Sequence, residues 1–217
     1  MDRKKITIFC IIILYTFSSC IRQTKEYYPD GKPKSILTYQ GKELHGTATW
    51  FHENGNKSIE YHYVHGRLEG LAKHWYFNGA LQSEENYSNN LKNGLSIFYN
   101  EQGKRSSEAE YRNDTLNGSY KEYHANGKVM TEGRYLNGLF HGSWSYFNQK
   151  GLQIGKALFE KGTGIQQAWY ENGKMMREIH YKVGKKEGTE TAWDQDGKVI
   201  NQAVYHQGEL LHESVSK

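Results

Sequence analysis

From Thr47 onward the chain repeats one polarity pattern. A short run rich in aromatic positions meets a polar step ending in glycine. A longer run of alternating apolar and polar positions follows, and a second glycine link closes the unit. "TATWFH", "ENG", "NKSIEYHYV" and "HG" form one instance. Alternation with period two marks half-buried strands, and Asn-Gly or Asp-Gly between two such runs is a strong hairpin signal. Each unit therefore predicts a hairpin. A three-residue loop with glycine in its left-handed last position puts His52 opposite Asn56. Uninterrupted pairing from there places Phe51, Ile59, Tyr61 and Tyr63 on one face, with Ser58, Glu60 and His62 on the other. A two-residue loop would slip the pairing by one and separate Phe51 from Tyr63. Glu recurs at the Glu60 position as Glu84, Glu108, Glu132 and Glu178, which suits a solvated face.

The period is explicit. Opening glycines stand at 46, 70, 94, 118, 142, 164 and 188, each followed nine residues later by another glycine. Five residues after each opening glycine comes an aromatic: Phe51, Trp75, Tyr99, Tyr123, Phe147, Trp169 and Trp193. A second aromatic row runs through Tyr63, Tyr87, Tyr111, Tyr135, Phe159, Tyr181 and Tyr205, and a leading half-repeat holds Tyr27, Gly31 and Tyr39 in register. Self-similarity at such a period means stacked repeats. The expected fold is all-β: an elongated single-layer antiparallel β-meander of tandem hairpins, about 15 strands and roughly 70 Å long at the usual strand spacing. Stability is then a sum of unit and interface terms. The fifth unit departs, with two residues fewer between Phe159 and Gly164 and Lys156 in the Glu row. A shortened turn there is expected to bend or tighten the ladder.

Composition changes the picture in one respect. Hydrophobic residues make up 36% of the chain and mean hydropathy is −0.86, values that by themselves suggest disorder. Aromatics at 14%, including 17 Tyr, exclude that reading, because a large apolar body with a polar tip suits half-exposed surfaces. The net charge of +4, smaller once the leader is set aside, leaves no electrostatic footprint for nucleic acid.

The N-terminus is a separate object. Arg3, Lys4 and Lys5 precede an apolar run from Ile6 to Phe17, then Ser18, Ser19 and Cys20. The run is short for a membrane span of roughly 20 residues and reads as a signal peptide. Its ending resembles the bacterial lipobox, which implies a lipidated Cys20. A plain secretory signal or an uncleaved anchor is the alternative. The expected organisation is a signal peptide at 1–19, a lipidated cysteine and linker at 20–26, repeats at 27–212 and a tail at 213–217. The only cysteines are Cys10 and Cys20, so no disulfide staples the mature chain.

The search for chemistry returns turns. "GTGIQQ" lacks the third glycine of a dinucleotide fingerprint, and "WDQDGK" occupies the same slot as "HENGNK". His45, His52, His62 and His65 lie in one unit and could converge on zinc if folded together, but imidazoles scattered over links and strands without thiol or carboxylate support weigh against a metal site. No catalytic residue, metal site or cofactor is expected.

The pattern "G…WYxNGKxxxExxYxxGxxxG" is similar to the MORN repeat (membrane occupation and recognition nexus), in the bacterial form found in proteins labelled YwqK-type antitoxins. The resemblance runs from Tyr27 to His212. It implies a β-meander, interaction rather than catalysis and, through the antitoxin label, neutralisation of a partner toxin.

The function expected is a non-enzymatic, lipid-anchored scaffold on the bacterial envelope, periplasmic or surface-exposed, that binds a protein partner through its sheet face. An antitoxin or immunity protein is the alternative, and a glycan-binding module the third reading. The candidate binding strip is the aromatic row from Phe51 to Trp193, which also has the task of gripping its neighbours across the sheet.

Overall fold

The computed structural model describes residues 20–215. Nineteen strands form one open antiparallel sheet, each paired with its neighbours in chain order, from Ile21–Tyr27 at one edge to Glu209–Val215 at the other. Arg67–Leu68 continues as Gly70–Trp75 past the bulged Glu69, and Lys185–Lys186 continues as Gly188–Trp193 past Glu187. The expected meander is what the chain forms. Two stretches expected outside it belong to the ladder. The supposed linker is the strand Ile21–Tyr27, which pairs with Pro33–Gln40, and residues 213–215 extend the last strand.

Turn chemistry alternates along the two long margins. On one margin are three-residue loops such as Glu53–Gly55, where the Gly55 N–H donates to His52 O and Gly55 takes φ +94°. On the other, after a first turn in which only Gly41 is left-handed, are two-residue turns with both residues left-handed, for example Asn89 (φ 51°) and Asn90 (φ 68°). Positive φ at both positions matches the strand twist, and Asn and Gly adopt it at low cost.

The register carries a correction. His52 N donates to Asn56 O and Phe51 faces Lys57, as the three-residue loop requires. One step further in, Trp50 faces Ile59, and Ser58 is an extra residue. The same slip falls beside the loop in every unit, at Trp75, Tyr99, Tyr123, Phe147, Trp169 and Trp193. A one-residue bulge moves everything beyond it to the other face. The row from Phe51 to Trp193 therefore does not share a face with Ile59, Tyr61 and Tyr63; it lies with the Glu60 row. Side-chain contacts agree, since the Tyr99 hydroxyl donates to Glu84 at 3.0 Å and that of Tyr123 to Glu108 at 2.9 Å.

A second, two-residue bulge surrounds the opening glycines. Leu37 pairs with Ala48 and Tyr39 with Leu44, so three residues oppose one. The fifth link lacks it: pairing runs without a slip from Gly155–Ala168 to Glu160–Thr163. Its turn, Lys161–Gly162, has the same left-handed geometry as the others. The two missing residues thus removed a bulge rather than shortening a turn, and Gly164 alone among the opening glycines has no positive φ.

The tyrosine face holds what core there is. Its central row runs Ala48, Tyr61, Ala72, Glu85, Ser96, Ala109, Tyr120, Gly133, Trp144, Ala157 in successive strands. Small residues sit beside large ones, so each large side chain lies over a small neighbour. Ala48 and Ala72 are fully buried, and Trp144 retains 2% of its exposure. Close packing of this kind substitutes for a second layer.

Candidate binding surfaces

The two faces of the sheet carry different chemistry. On the tyrosine face, Trp144, Ala157 and Phe159 form a buried cluster, with Tyr120, Tyr135, Phe140, Tyr146 and Tyr181 packed against it. Ring centroids lie 4.9 Å apart for Phe140–Trp144 and 5.1 Å for Phe140–Phe159. Offset and edge contacts of this kind add about 1 kcal/mol each beyond burial.

Charged clusters flank these rings on either side. In the second and third units, Glu85 is 6% exposed and receives Lys92 Nζ at 2.5 Å and the Ser83 hydroxyl at 2.9 Å. Burial pushes the Glu85 carboxyl up, but Lys92 and Ser83 outweigh it and hold it below its ordinary value. Nearby, burial lowers the His74 imidazole against the pull of Glu85, and Tyr61 is hydrogen-bonded to its Nε2 at 3.2 Å. In the last units Glu190 is gripped by Lys186 and Arg177, which overcome its desolvation and depress its carboxyl. The aromatic face is thus tied down internally by rings and paired charges.

The opposite face presents the Glu row and the sequence-predicted strip. Phe51, Trp75, Tyr99, Tyr123, Phe147, Trp169 and Trp193 stand in one line along the margin of the three-residue loops, and all seven are half-buried. Their surroundings are polar. Lys57 Nζ lies 5.4 Å from the Trp75 ring, and Lys156 Nζ lies 5.5 Å from that of Trp169. Burial, followed by the bond to Glu84, raises the Tyr99 hydroxyl, and Glu108 acts likewise on Tyr123. The strip is a ribbon of rings edged by fixed charges of both signs, able to offer flat apolar contact and charge-assisted bonds together.

The same margin is stitched from unit to unit through the strip's own carbonyls. Tyr28, His52, Tyr76, His124 and Tyr170 donate to the backbone oxygens of Phe51, Trp75, Tyr99, Phe147 and Trp193 at 2.6–3.0 Å. Asn100 and Asp194 occupy the same slot but cap their own loops, while Asn148 caps its loop and also donates to the Glu171 carboxylate at 3.2 Å. Nothing in a single unit reveals that tie; the spacing of 23 residues between partners could have.

Of the histidines, His45 and His65 pack edge to face at 5.0 Å, while His52 is committed to Trp75. Among the described residues no cluster of three His, Cys, Asp or Glu side chains is placed to hold a metal. Cys20 is exposed and directly precedes the first strand. The leader at 1–19 lies outside the described residues.

Five segments, residues 23–40, 44–65, 68–89, 116–137 and 163–182, match the family described as MORN repeat variant. No curated protein matches the chain. Among solved structures, a chain of the TcdB2-TccC3-Cdc42 crystal structure is similar at 11% identity, with a TM-score of 0.19. The match covers 90% of the present chain and 15% of that one.

Proposed function

With MORN-variant repeats in one continuous sheet as the premise, we propose that the protein is a non-enzymatic scaffold that binds a protein partner through a face of its sheet, held at the bacterial envelope by a lipid on Cys20. The observation that carries the reading is the single layer itself. Nineteen strands expose two faces, and the Glu-row face leaves seven large aromatic residues half covered. Aromatic side chains at low entropic cost, beside charges already held in place, are the usual anchors of protein interfaces. The position of Cys20 supports the anchor, because the sheet begins at the next residue and a lipid there would fix its first edge near the bilayer.

Pull-down from envelope extracts should recover a stoichiometric partner whose binding falls when Trp75, Tyr99 and Tyr123 are replaced by Ala, with circular dichroism confirming that the sheet survives. A partner retained equally by that variant removes the strip from the interface, and no partner at all removes the scaffold reading. Palmitate labelling of wild type against Cys20→Ala tests the anchor; equal or absent label in both rejects it.

A further inference from the structure

The fifth and sixth units break the pattern in three ways at one place. First, the hairpin Gln153–Glu160 with Thr163–Trp169 is unbulged. Second, Leu158 and Ile165, directly opposite each other on the Glu-row face, are 70% and 42% exposed. The positions equivalent to Leu158 hold His62, Asn86, Glu110, Arg134, His180 and Val204, so an open leucine there is unusual for this chain. Third, Lys156 stands where the row is otherwise acidic or neutral.

Lys156 makes no ion pair among the described residues, and its neighbours explain why. Glu132, two strands to one side, lies 3.6 Å from Lys121. Glu178, two strands to the other side, accepts from Gln167 at 2.8 Å and lies 3.1 Å from His180. Glu160, further along the same strand, is placed against His141 at 3.9 Å. The ammonium rests over the Trp169 ring instead. Lys156, Leu158 and Ile165 line a groove of about 630 Å³ with Ser145, Gln153 and Gln167.

Resting on the scaffold reading, we infer that this groove seats one anchor segment of the partner that also lies along the strip, and that this segment is extended, with an apolar side chain two residues from a carboxylate. The spacing follows from strand geometry. Lys156 and Leu158 are two residues apart on one face, roughly 7 Å, which is the separation of like-facing side chains on a strand laid across them. The carboxylate gives Lys156, the one cation in the row, the ion pair it lacks among the described residues, and the apolar side chain covers the Leu158–Ile165 pair. The Ser145 hydroxyl, whose oxygen accepts from Gln153 Nε2 at 3.5 Å, keeps its proton to donate to the segment's backbone. Elsewhere in the row Glu60 is paired with Lys57, Glu84 with Lys73, Glu108 with Arg105 and Glu132 with Lys121, so the cations there are already engaged and the segment's carboxylate is directed to this unit.

The test uses the full chain, labelled with nitrogen-15, titrated with acetyl-Leu-Thr-Glu-amide and its Gln analogue. The Glu peptide should shift the amides of Lys156, Leu158 and Ile165 saturably, bind about tenfold more tightly than the Gln peptide, and lose its advantage in Lys156→Glu. That variant should in turn prefer acetyl-Leu-Thr-Lys-amide, a reversal that a merely misfolded protein cannot produce. Equal response to the two peptides overturns the inference. So does an unchanged titration of Lys156→Glu, or the same shifts from phosphatidylglycerol vesicles or a cell-wall glycan fragment. Capture of one envelope partner by both wild type and Lys156→Glu/Leu158→Asn overturns the groove and leaves the scaffold standing. A selective peptide response with nothing captured by wild type overturns the scaffold and leaves the groove.

Discussion

The Trp144 indole occupies the space that a side chain at Gly133 would fill, so a Cβ built there overlaps the ring. The two residues sit in the same row of adjacent units, and the indole N–H donates to Arg134 O at 3.2 Å, which fixes the ring in place. Gly133→Ala should cost about 1–3 kcal/mol by overpacking, and much less in a Trp144→Leu background. Urea denaturation of the four proteins in that cycle checks it. Equal costs in both backgrounds would show that the glycine serves its own backbone rather than the ring.

Val183 holds φ 50° in the first position of its turn, a slot filled by Asn at 89, 113 and 137. A β-branched residue is strained in that region by roughly 1–2 kcal/mol. Its side chain is 61% exposed, so little packing is lost by replacing it. Val183→Asn should raise the melting temperature, with a gain of about 1 kcal/mol. Calorimetry showing no gain would mean that the strain is relieved elsewhere.

The stitched margin makes a graded prediction. Tyr170→Phe removes the bond to Trp193 O and should cost about 1 kcal/mol. Amide exchange should quicken at the loop after Trp193 and leave the loops of the first two units unchanged, because repeats couple mainly to neighbours. Uniform quickening along the chain would contradict nearest-neighbour stability.

The Glu85 and His74 cluster gives a pH dependence of definite sign. The His74 imidazole is depressed from 6.5, so the unfolded chain takes up its proton first and stability falls as pH drops below that value. The Glu85 carboxyl is depressed from 4.5, so its contribution is present above that value and is lost as pH falls through the lower folded value. Both act in the same direction, with His74 setting the upper end of the window. His74→Asn should flatten the stability profile below pH 6.5 while leaving the loss below 4.5 that belongs to Glu85. A profile unchanged by that substitution would place the upper titration on another group.

Much of this architecture was legible before any coordinates. Gly55 and its counterparts announce their loops because only glycine takes φ near +90° at no cost, and Asn89–Asn90 marks its turn for a related reason. These are local requirements, satisfied within four or five residues, so the number and order of hairpins can be read directly. The face of the Phe51 row could not. Ser58 is an ordinary strand residue by type, and its role as the extra residue in a bulge depends on how Trp50 meets Ile59 across the ladder. One extra residue in each unit was enough to move all seven aromatic residues to the Glu face. The fifth link shows the same limit, since a two-residue gap is visible in the spacing while its location in a bulge is not.

The composition of each unit therefore settled that this chain is a ribbon of hairpins, because turn chemistry and two-residue alternation are properties of short segments. Which rings touch, which charge rests on a ring rather than in an ion pair and which small residue yields space to which large one came from pairing between units. Those contacts reach across the ladder, as from Gly133 to Trp144 or from Tyr170 to Trp193, through a register that a single bulge can invert.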